Sequence, residues 1–350
     1  MNRIMTLGVG CLVFVGAGCA DDAASPTRPN LLTTSQPPPT HPAGVIQFSA
    51  PLAGRPYGLA ISAKDVAYIT QLDASRVARV DLPSGFGFTA SVPVGFIPTS
   101  VAFDQNGETA WVTNQLSSPS SLGRIDVATN TQVQTYASGG PSGLNGNLFE
   151  VISLRDDAAY VSSNDQNVYV FDPATGQVTT TLNLGGQLTN GFALQEFVRH
   201  PDGIRLYADQ ISSGTVAEID TRTNTVVRTF TISPGFTRLQ GMALSHDGTR
   251  LYVADEGGVL RVVDIASGTP VDTVVVGQRA FGVALSPDDA QLYVGVMDLG
   301  LVRVIDRASL TIVNTIQLPE SGAFPRRIGF NQDGTTAVIT DENGWVHFVQ

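Results

Sequence analysis

Cysteine and histidine are scarce in this sequence, and their positions exclude several kinds of site. The 350 residues include only two cysteines, Cys11 and Cys19, so the chain beyond Cys19 has no internal disulfide and no thiol nucleophile. Its four histidines are scattered along the chain: His41, His200, His246 and His347. No Ser-His-Asp arrangement can be assembled from such positions. The sequence therefore predicts no catalytic residue, no metal ligand and no cofactor.

Basic residues are also few, and almost all of them are arginines. Lys64 is the single lysine among 20 basic residues, against 31 acidic ones, which gives a net charge of −11. This balance argues against nucleic acid as a partner, because phosphate binding normally needs a basic field. Hydrophobic residues make up 42% of the chain, enough for a large core, and 36 glycines with 20 prolines favour many tight turns.

The N-terminal apolar run is too short to span a bilayer. It covers residues 4–18 and follows Arg3, which is typical of a signal peptide at residues 1–18. Small residues before Cys19 resemble the bacterial lipobox, although Gly16 stands where a branched apolar residue is usual; the alternative is an ordinary signal peptide cleaved nearby. Residues 19–44, rich in Pro, Ser and Thr, predict a tether with Cys19 acylated. We expect an exported, membrane-anchored lipoprotein facing the periplasm or the cell surface.

A repeat of about 44 residues fills the rest of the chain. Apolar-Asp pairs recur at separations of 45, 46, 48, 44 and 42 residues: Val80-Asp81, Ile125-Asp126, Phe171-Asp172, Ile219-Asp220, Val263-Asp264 and Ile305-Asp306. A second series places a large residue earlier in each unit: Tyr68, Trp111, Tyr160, Tyr207, Tyr252, Tyr293 and Val338. Turns such as Asp202-Gly203 precede most of these residues and indicate hairpins. Four short strands per unit are typical of a propeller blade.

The two ends of this region predict how the ring closes. The seventh unit, residues 323–350, supplies only three strands, whereas residues 45–49 form a strand without a hairpin partner. We therefore expect an all-β, seven-bladed β-propeller of four-stranded antiparallel blades over residues 45–350. The strand at about residues 45–50 would complete the last blade. A closed ring of this kind is one domain, and we expect a monomer.

Several motifs resemble those of a known family. Trp111-Val112-Thr113-Asn114 and the stretch from Asp126 to Thr131 are similar to repeats of the YVTN-repeat, YncE-like β-propeller family. The resemblance covers residues 45–350 and implies the propeller fold. Because these motifs recur from blade to blade and are structural, the resemblance does not specify a ligand.

The positions at which the units differ from one another are the candidates for function. Loops leading into the innermost strands share one face with the loops joining the second and third strands of each blade. Alignment puts Arg55, Arg238 and Arg279 at one repeat position, in blades one, five and six. Blade seven has Phe324 at this position, followed by Arg326 and Arg327. Blades five, six, seven and one are consecutive in a closed ring, so the five arginines form an arc on one side of the channel mouth.

Two interpretations of this arginine arc stay open. Arginine forks could bind carboxylate or phosphate, with Tyr57, Phe281 and Phe324 stacking beside the ligand. Alternatively, acidic residues on the same face could neutralise the arginines, and Glu196 and Gln195 lie opposite in blade four. The binding interpretation predicts a non-enzymatic binding or scaffold module for a protein, a glycan or an anionic small molecule, touching the membrane only through its lipid anchor.

Two other functions are kept as alternatives. A lactonase-like or streptogramin-lyase-like enzyme would act at the channel mouth and would need carboxylates or histidines converging there. Single-stranded nucleic-acid binding is known among YncE-like relatives, and binding that falls steeply with salt would support it.

Overall fold

The computed structural model describes residues 39–116, 119–155, 157–184, 196–210, 213–233 and 238–350. In these residues the chain forms seven four-stranded antiparallel sheets, which confirms the predicted seven-bladed β-propeller. Two short 3-10 turns, Leu82–Ser84 and Met297–Leu299, are the only helical elements in the described part. The innermost strands contact one another in ring order, and the last contacts the first.

The strands of blades one to three run in chain order from the channel outwards, after a first strand, β1 (Ile46–Pro51), that belongs to blade seven. They are β2 (Pro56–Ile61), β3 (Val66–Gln71), β4 (Arg76–Asp81) and β5 (Phe88–Pro93) in blade one, β6 (Pro98–Phe103), β7 (Thr109–Asn114), β8 (Ser121–Asp126) and β9 (Thr131–Ala137) in blade two, and β10 (Leu148–Arg155), β11 (Ala158–Ser163), β12 (Asn167–Asp172) and β13 (Gln177–Asn183) in blade three.

The remaining blades repeat this order. They comprise β14 (Phe197–Arg199), β15 (Arg205–Gln210), β16 (Thr215–Asp220) and β17 (Thr225–Thr231) in blade four, β18 (Leu239–Leu244), β19 (Arg250–Asp255), β20 (Val259–Asp264) and β21 (Thr269–Val275) in blade five, β22 (Ala280–Leu285), β23 (Gln291–Val296), β24 (Leu301–Asp306) and β25 (Thr311–Gln317) in blade six, and β26 (Pro325–Phe330), β27 (Ala337–Asp341) and β28 (Trp345–Val349) in blade seven.

Blade seven is completed by the N-terminal strand, as predicted. β1 pairs antiparallel with β28, with Ala50 opposite Val346, and lies at the outer edge of this sheet. Just before β1, Val45 exchanges two backbone hydrogen bonds of 2.9 Å with Gln350. The ring is therefore closed by pairing between the two ends of the propeller.

The large residue that recurs in each unit packs between neighbouring blades. The six aromatic members of the series are at most 2% exposed. Tyr68 of blade one donates a hydrogen bond of 2.9 Å to the Asn130 side chain of blade two, and Tyr160 of blade three does the same to Asn224 of blade four at 2.5 Å. Both asparagines have positive φ, in turns where Asn is well tolerated. The hydrogen bonds of Tyr68 and Tyr160 therefore join neighbouring blades.

Residues just before β1 also lie on the propeller. The Thr40 N–H donates to the Asp333 carbonyl at 2.9 Å, and His41 Nδ1 lies 2.5 Å from an Asp288 carboxylate oxygen. The contacts of the propeller therefore begin before Val45. The predicted signal peptide and Cys19 lie outside the described residues. No described helix is long and apolar enough to cross a bilayer.

Candidate functional site

A backbone contact shows that the aligned arginines occupy equivalent places. The residue after the second strand of a blade donates its N–H to the carbonyl of the residue before the innermost strand. This carbonyl belongs to Arg55 in blade one, Arg238 in blade five, Arg279 in blade six and Phe324 in blade seven, with N–O distances of 2.9–3.1 Å. We call Arg55, Arg238 and Arg279 the rim arginines, because they stand where the loops meet the channel mouth.

The rim arginines are half exposed, and each lies beside a carboxylate. Their side chains are 50%, 45% and 44% exposed for Arg55, Arg238 and Arg279, respectively. Arg55 contacts Glu342 at 2.9 Å, whereas Arg238 lies 3.7 Å from Glu256 and Arg279 lies 3.3 Å from Asp298. Ion pairs with this exposure contribute at most about 1 kcal/mol each, so these contacts leave the guanidinium groups open to competition.

Arg326 is buried below the rim and held between two aromatic rings. Its guanidinium carbon lies 4.2 Å from the centre of the Tyr57 ring and 4.4 Å from that of Phe281. Its Nη2 donates a hydrogen bond to the Tyr57 hydroxyl, and its Nε lies 3.6 Å from Glu342 without a hydrogen-bond partner. Burial raises the pKa of Tyr57, against the opposing attraction of Arg326, so this hydroxyl stays protonated. Three predicted site residues from blades one, six and seven therefore meet.

Arg327 reaches across the channel to the opposite side of the ring. Its Nη2 lies 3.1 Å from Glu150 in blade three, and its Nη1 lies 2.6 Å from Glu196, which immediately precedes β14 of blade four. Blades three and four are the members of a seven-blade ring that face blade seven. The contact confirms the predicted position of Glu196 opposite the arc; Gln195 lies outside the described residues.

Together with Asp209 these residues form a buried charged group that we call the channel plug: Arg327, Glu150, Glu196 and Asp209. Burial raises the pKa of Glu150 to about 7, although Arg327 opposes this shift. Burial and the neighbouring Glu196 also raise the pKa of Asp209 well above its usual range. Burial lowers the pKa of Arg327, but the attraction of Glu196 and Glu150 outweighs it, so this guanidinium stays charged. The plug thus holds one fixed cation among carboxyl groups that can take up protons.

The repeat explains why these groups converge. In five blades a side-chain oxygen on the second strand accepts a hydrogen bond from a backbone N–H of the innermost segment. The donor is the third residue of the innermost strand in four of these blades, and in blade four it is the residue just before that strand. The donor–acceptor pairs are Gly58–Thr70, Ser100–Thr113, Glu150–Ser162, Glu196–Asp209 and Arg327–Thr340, at 2.7–3.2 Å. Glu150, Glu196 and Arg327 thus share one repeat position lining the channel. Asp209 stands where other blades have a hydroxyl, and its Oδ2 is buried without a hydrogen-bond partner.

Close approach of two inner strands positions Arg326. Gly282 of β22 has φ of 50°, and a Cβ there would lie 2.3 Å from the Arg326 carbonyl oxygen. Only glycine fits such a backbone contact without displacement. Phe281, the residue before it, can therefore lie against the Arg326 guanidinium.

The structure also places the last predicted aromatic residue at the rim. The Arg279 guanidinium lies 5.5 Å from the centre of the Phe324 ring. Phe324 and Asp298 line a cavity of about 600 Å³ between residues 297–300 and residues 317–324. Hence Arg279 borders a concave surface, whereas Arg55 and Arg238 border the open mouth.

Sequence reasoning placed Asp209 among the acidic residues on the same face as the arginines, but it missed Glu150 and the reach of Arg327 across the channel. The signal for Glu150 was present, because Leu148-Phe149-Glu150 aligns with Pro325-Arg326-Arg327. Every arginine of the predicted arc has a carboxylate within 4 Å, so the neutralising acidic residues are in place. The arc nevertheless divides into an exposed rim and a buried interior.

Comparison with known proteins supports the fold. No protein-family profile matches the chain, and a search of curated proteins finds no match. Among solved structures, Kuenenia stuttgartiensis hydrazine synthase is similar, with a TM-score of 0.70 and 17% identity over 89% of this chain and 99% of that chain. At this identity the likeness shows a shared fold alone.

Proposed function

We propose that this protein is a non-enzymatic binding module whose channel mouth takes an anionic ligand through the rim arginines. The observation that carries the proposal is the repeat-equivalent placement of Arg55, Arg238 and Arg279 in three of the four blades of one arc, each close to half exposed. Arginine presents a planar fork of donors that matches carboxylate and phosphate groups. The ligand class is a carboxylate- or phosphate-bearing small molecule, an acidic glycan or an acidic segment of a protein.

The energetics of the rim support ligand exchange. At Arg238 and Arg279 the carboxylates lie 3.7 and 3.3 Å away, beyond the 2.7–2.9 Å of a strong charge-assisted hydrogen bond. A ligand anion that meets both arginine forks with good geometry would replace these contacts at little cost. Below the rim Arg327 reaches across the channel to Glu150 and Glu196, so we expect the ligand to bind on the mouth and not to thread the channel.

The setting of this module is part of the same proposal. The motifs at Trp111–Asn114 and Asp126–Thr131 favour a YVTN-repeat, YncE-like protein, and the residues before Cys19 favour a lipid-anchored form exported to the envelope. Globomycin sensitivity of processing and loss of membrane association in Cys19→Ala would support the anchor. A Cys19→Ala protein that still fractionates with membranes would argue against it.

Charge reversal at the rim tests the binding proposal. The full chain would be screened by thermal shift against carboxylates, phosphate esters, acidic glycans and acidic peptides, and hits measured by calorimetry. Arg238→Glu and Arg279→Glu should each weaken a true ligand at least about tenfold, as loss of a charge-assisted contact predicts. Arg222→Glu is the matched control, because Arg222 is 63% exposed in a loop between the third and fourth strands of blade four. Equal affinity of every ligand for all three variants would refute the proposal.

One observation favours a second function, a lactonase-like or streptogramin-lyase-like enzyme acting at the channel mouth. A channel-facing carboxyl with a pKa near 7 can act as a general acid or base at neutral pH, and Glu150 has this property. The enzyme would lose turnover in Glu150→Gln with its fold retained, whereas the binding module would keep its ligand affinity. Turnover of any screened ligand, abolished by this substitution, would displace the first proposal.

A further inference from the structure

Three metal-ligating side chains meet in blade seven, outside the arginine arc. His347 of β28 has its Nε2 3.5 Å from an oxygen of Glu320 and 3.5 Å from an oxygen of Asp341. All three ligand atoms lie within 4.8 Å of one another. His347 and Asp341 are fully buried, and the Glu320 side chain is 16% exposed. We call these three residues the blade-seven triad.

The distances within the triad match ligands around an ion better than a direct ion pair. A protonated imidazole bonded to a carboxylate would lie at about 2.7–2.9 Å. Zinc bound by nitrogen and oxygen at about 2.0–2.2 Å has tetrahedral ligands about 3.3–3.6 Å apart. The observed 3.5 Å from His347 to each carboxylate falls in this second range. The Glu320 oxygen has no hydrogen-bond partner although it is buried.

Charge balance indicates the same kind of occupant. No lysine or arginine of the described chain forms an ion pair with Glu320 or Asp341. Two carboxylates therefore face one imidazole, and even a protonated His347 would leave a buried negative charge, which is costly. Blade five also has an aspartate at the place of Asp341, and there Arg261, at the place of His347, pairs with Asp255 at 3.0 Å. Blade seven has a histidine where blade five has this fixed cation.

The atoms that face away from the triad are already held in the orientation a metal would need. The other ring nitrogen of His347 lies 2.8 Å from the Ser49 hydroxyl of β1, so Nδ1–H can donate there while Nε2 keeps its lone pair for an ion. Asp341 Oδ1 accepts the N–H groups of Phe324 and Asn343 at 2.7 and 2.8 Å, which leaves Oδ2 facing His347.

A cavity adjoins the triad on the side of Glu320. This residue lines the cavity of about 600 Å³ between residues 297–300 and residues 317–324. The triad is therefore next to a concave surface on the side of Glu320, whereas His347 and Asp341 are fully buried.

From this geometry we infer that the blade-seven triad binds one divalent ion of the zinc class through His347 Nε2, Asp341 Oδ2 and Glu320. Imidazole combined with carboxylate oxygens suits zinc and excludes calcium, which prefers oxygen alone. The ion would join the loop between blades six and seven to β27 and β28. Through Ser49, it would also be coupled to β1, so that it fastens the blade that closes the ring.

Metal analysis of the full chain tests this inference with Zn²⁺ as the probe. Protein stripped with EDTA and exchanged into metal-free buffer would be titrated with Zn²⁺ by calorimetry, and bound metal counted by mass spectrometry. We expect one Zn²⁺ per chain and a metal-dependent rise in melting temperature. With Co²⁺, intense visible bands would report tetrahedral coordination.

Substitutions separate this site from adventitious binding. Glu320→Gln changes a loop residue and should fold, yet bind Zn²⁺ at least about tenfold more weakly and lose the metal-dependent melting shift. Ser49→Ala leaves all three ligands and should weaken binding about 10–100-fold, as for other outer partners of a ligating histidine. His246→Gln, at an exposed turn, is the control and should bind as the wild type does. No stoichiometric Zn²⁺ in the wild type, or equal binding by Glu320→Gln, would overturn the inference.

Discussion

Removing the cation of the channel plug should destabilise the propeller in a pH-dependent way. In Arg327→Met the Glu150 and Glu196 carboxylates lose the guanidinium that lies 3.1 and 2.6 Å from them. The Arg327 side chain is 17% exposed and that of Glu196 is 7% exposed, so the remaining charge is poorly hydrated. Breaking a buried ion pair from one side costs about 3–5 kcal/mol.

This cost converts into a measurable melting shift. Unfolding entropy of about 2.1 cal/mol/K per residue over roughly 300 residues gives about 0.6 kcal/mol/K, so the melting temperature should fall by about 5–8 °C near pH 8. The loss should be smaller at pH 5, because Glu150 has a pKa of about 7 and is then neutral. Differential scanning calorimetry at both pH values gives the comparison.

A double substitution isolates the pairwise contribution. Arg327→Met with Glu196→Gln should lose less stability than the sum of the two single changes, since the double variant leaves one unpaired carboxylate fewer in the plug than Arg327→Met does. Arg222→Met, at a 63% exposed ion pair, should stay within about 0.5 kcal/mol of the wild type. A melting shift below about 1 °C for Arg327→Met at pH 8, or an equal shift at pH 5, would refute the role of the plug.

Three further predictions follow from the described contacts. Because the pKa of Glu150 is raised from 4.5 to about 7, the folded state keeps a proton between these pH values that the unfolded chain has lost. The contribution of Glu150 to stability therefore declines as the pH rises through this range, and Glu150→Gln should flatten that part of a plot of unfolding free energy against pH. Asn224→Ala removes the acceptor of Tyr160 at positive φ and should cost about 1–3 kcal/mol in urea unfolding, with Asn224→Gly less costly. Deleting Ile46–Pro51 leaves β28 as an unpaired edge, so light scattering should detect association that the intact chain lacks.

The fold could be predicted from the sequence because the same buried and turn positions recur in each unit. Tyr68 and Tyr160 recur at the place where blades touch, and the structure buries both. The unpaired residues 45–49 and the three-stranded last unit indicated the closure that β1 and β28 show. The closure of the ring could be predicted from the number of strands at its two ends, without knowledge of side-chain geometry.

The candidate site could be predicted only in part. Alignment placed the rim arginines at one repeat position, since that position is fixed by a backbone hydrogen bond. The reach of Arg327 to Glu150 was not predictable in the same way, because the contact spans the channel and joins units more than 170 residues apart. The sequence placed His347 on the last strand and gave no sign of its partners. Glu320 lies in a loop between two blades, and the repeat does not predict the conformation of that loop.

The pairing of Val45 with Gln350 brings the two ends of the propeller close enough for circular permutation. The two residues exchange both of their backbone hydrogen bonds at 2.9 Å, so a short linker could join them without disturbing β1 or β28. A circular permutant opened in a loop between two blades would then keep all seven sheets, and its last blade would be one continuous hairpin series. In such a molecule the blade that now depends on two distant chain segments would fold from neighbouring residues alone.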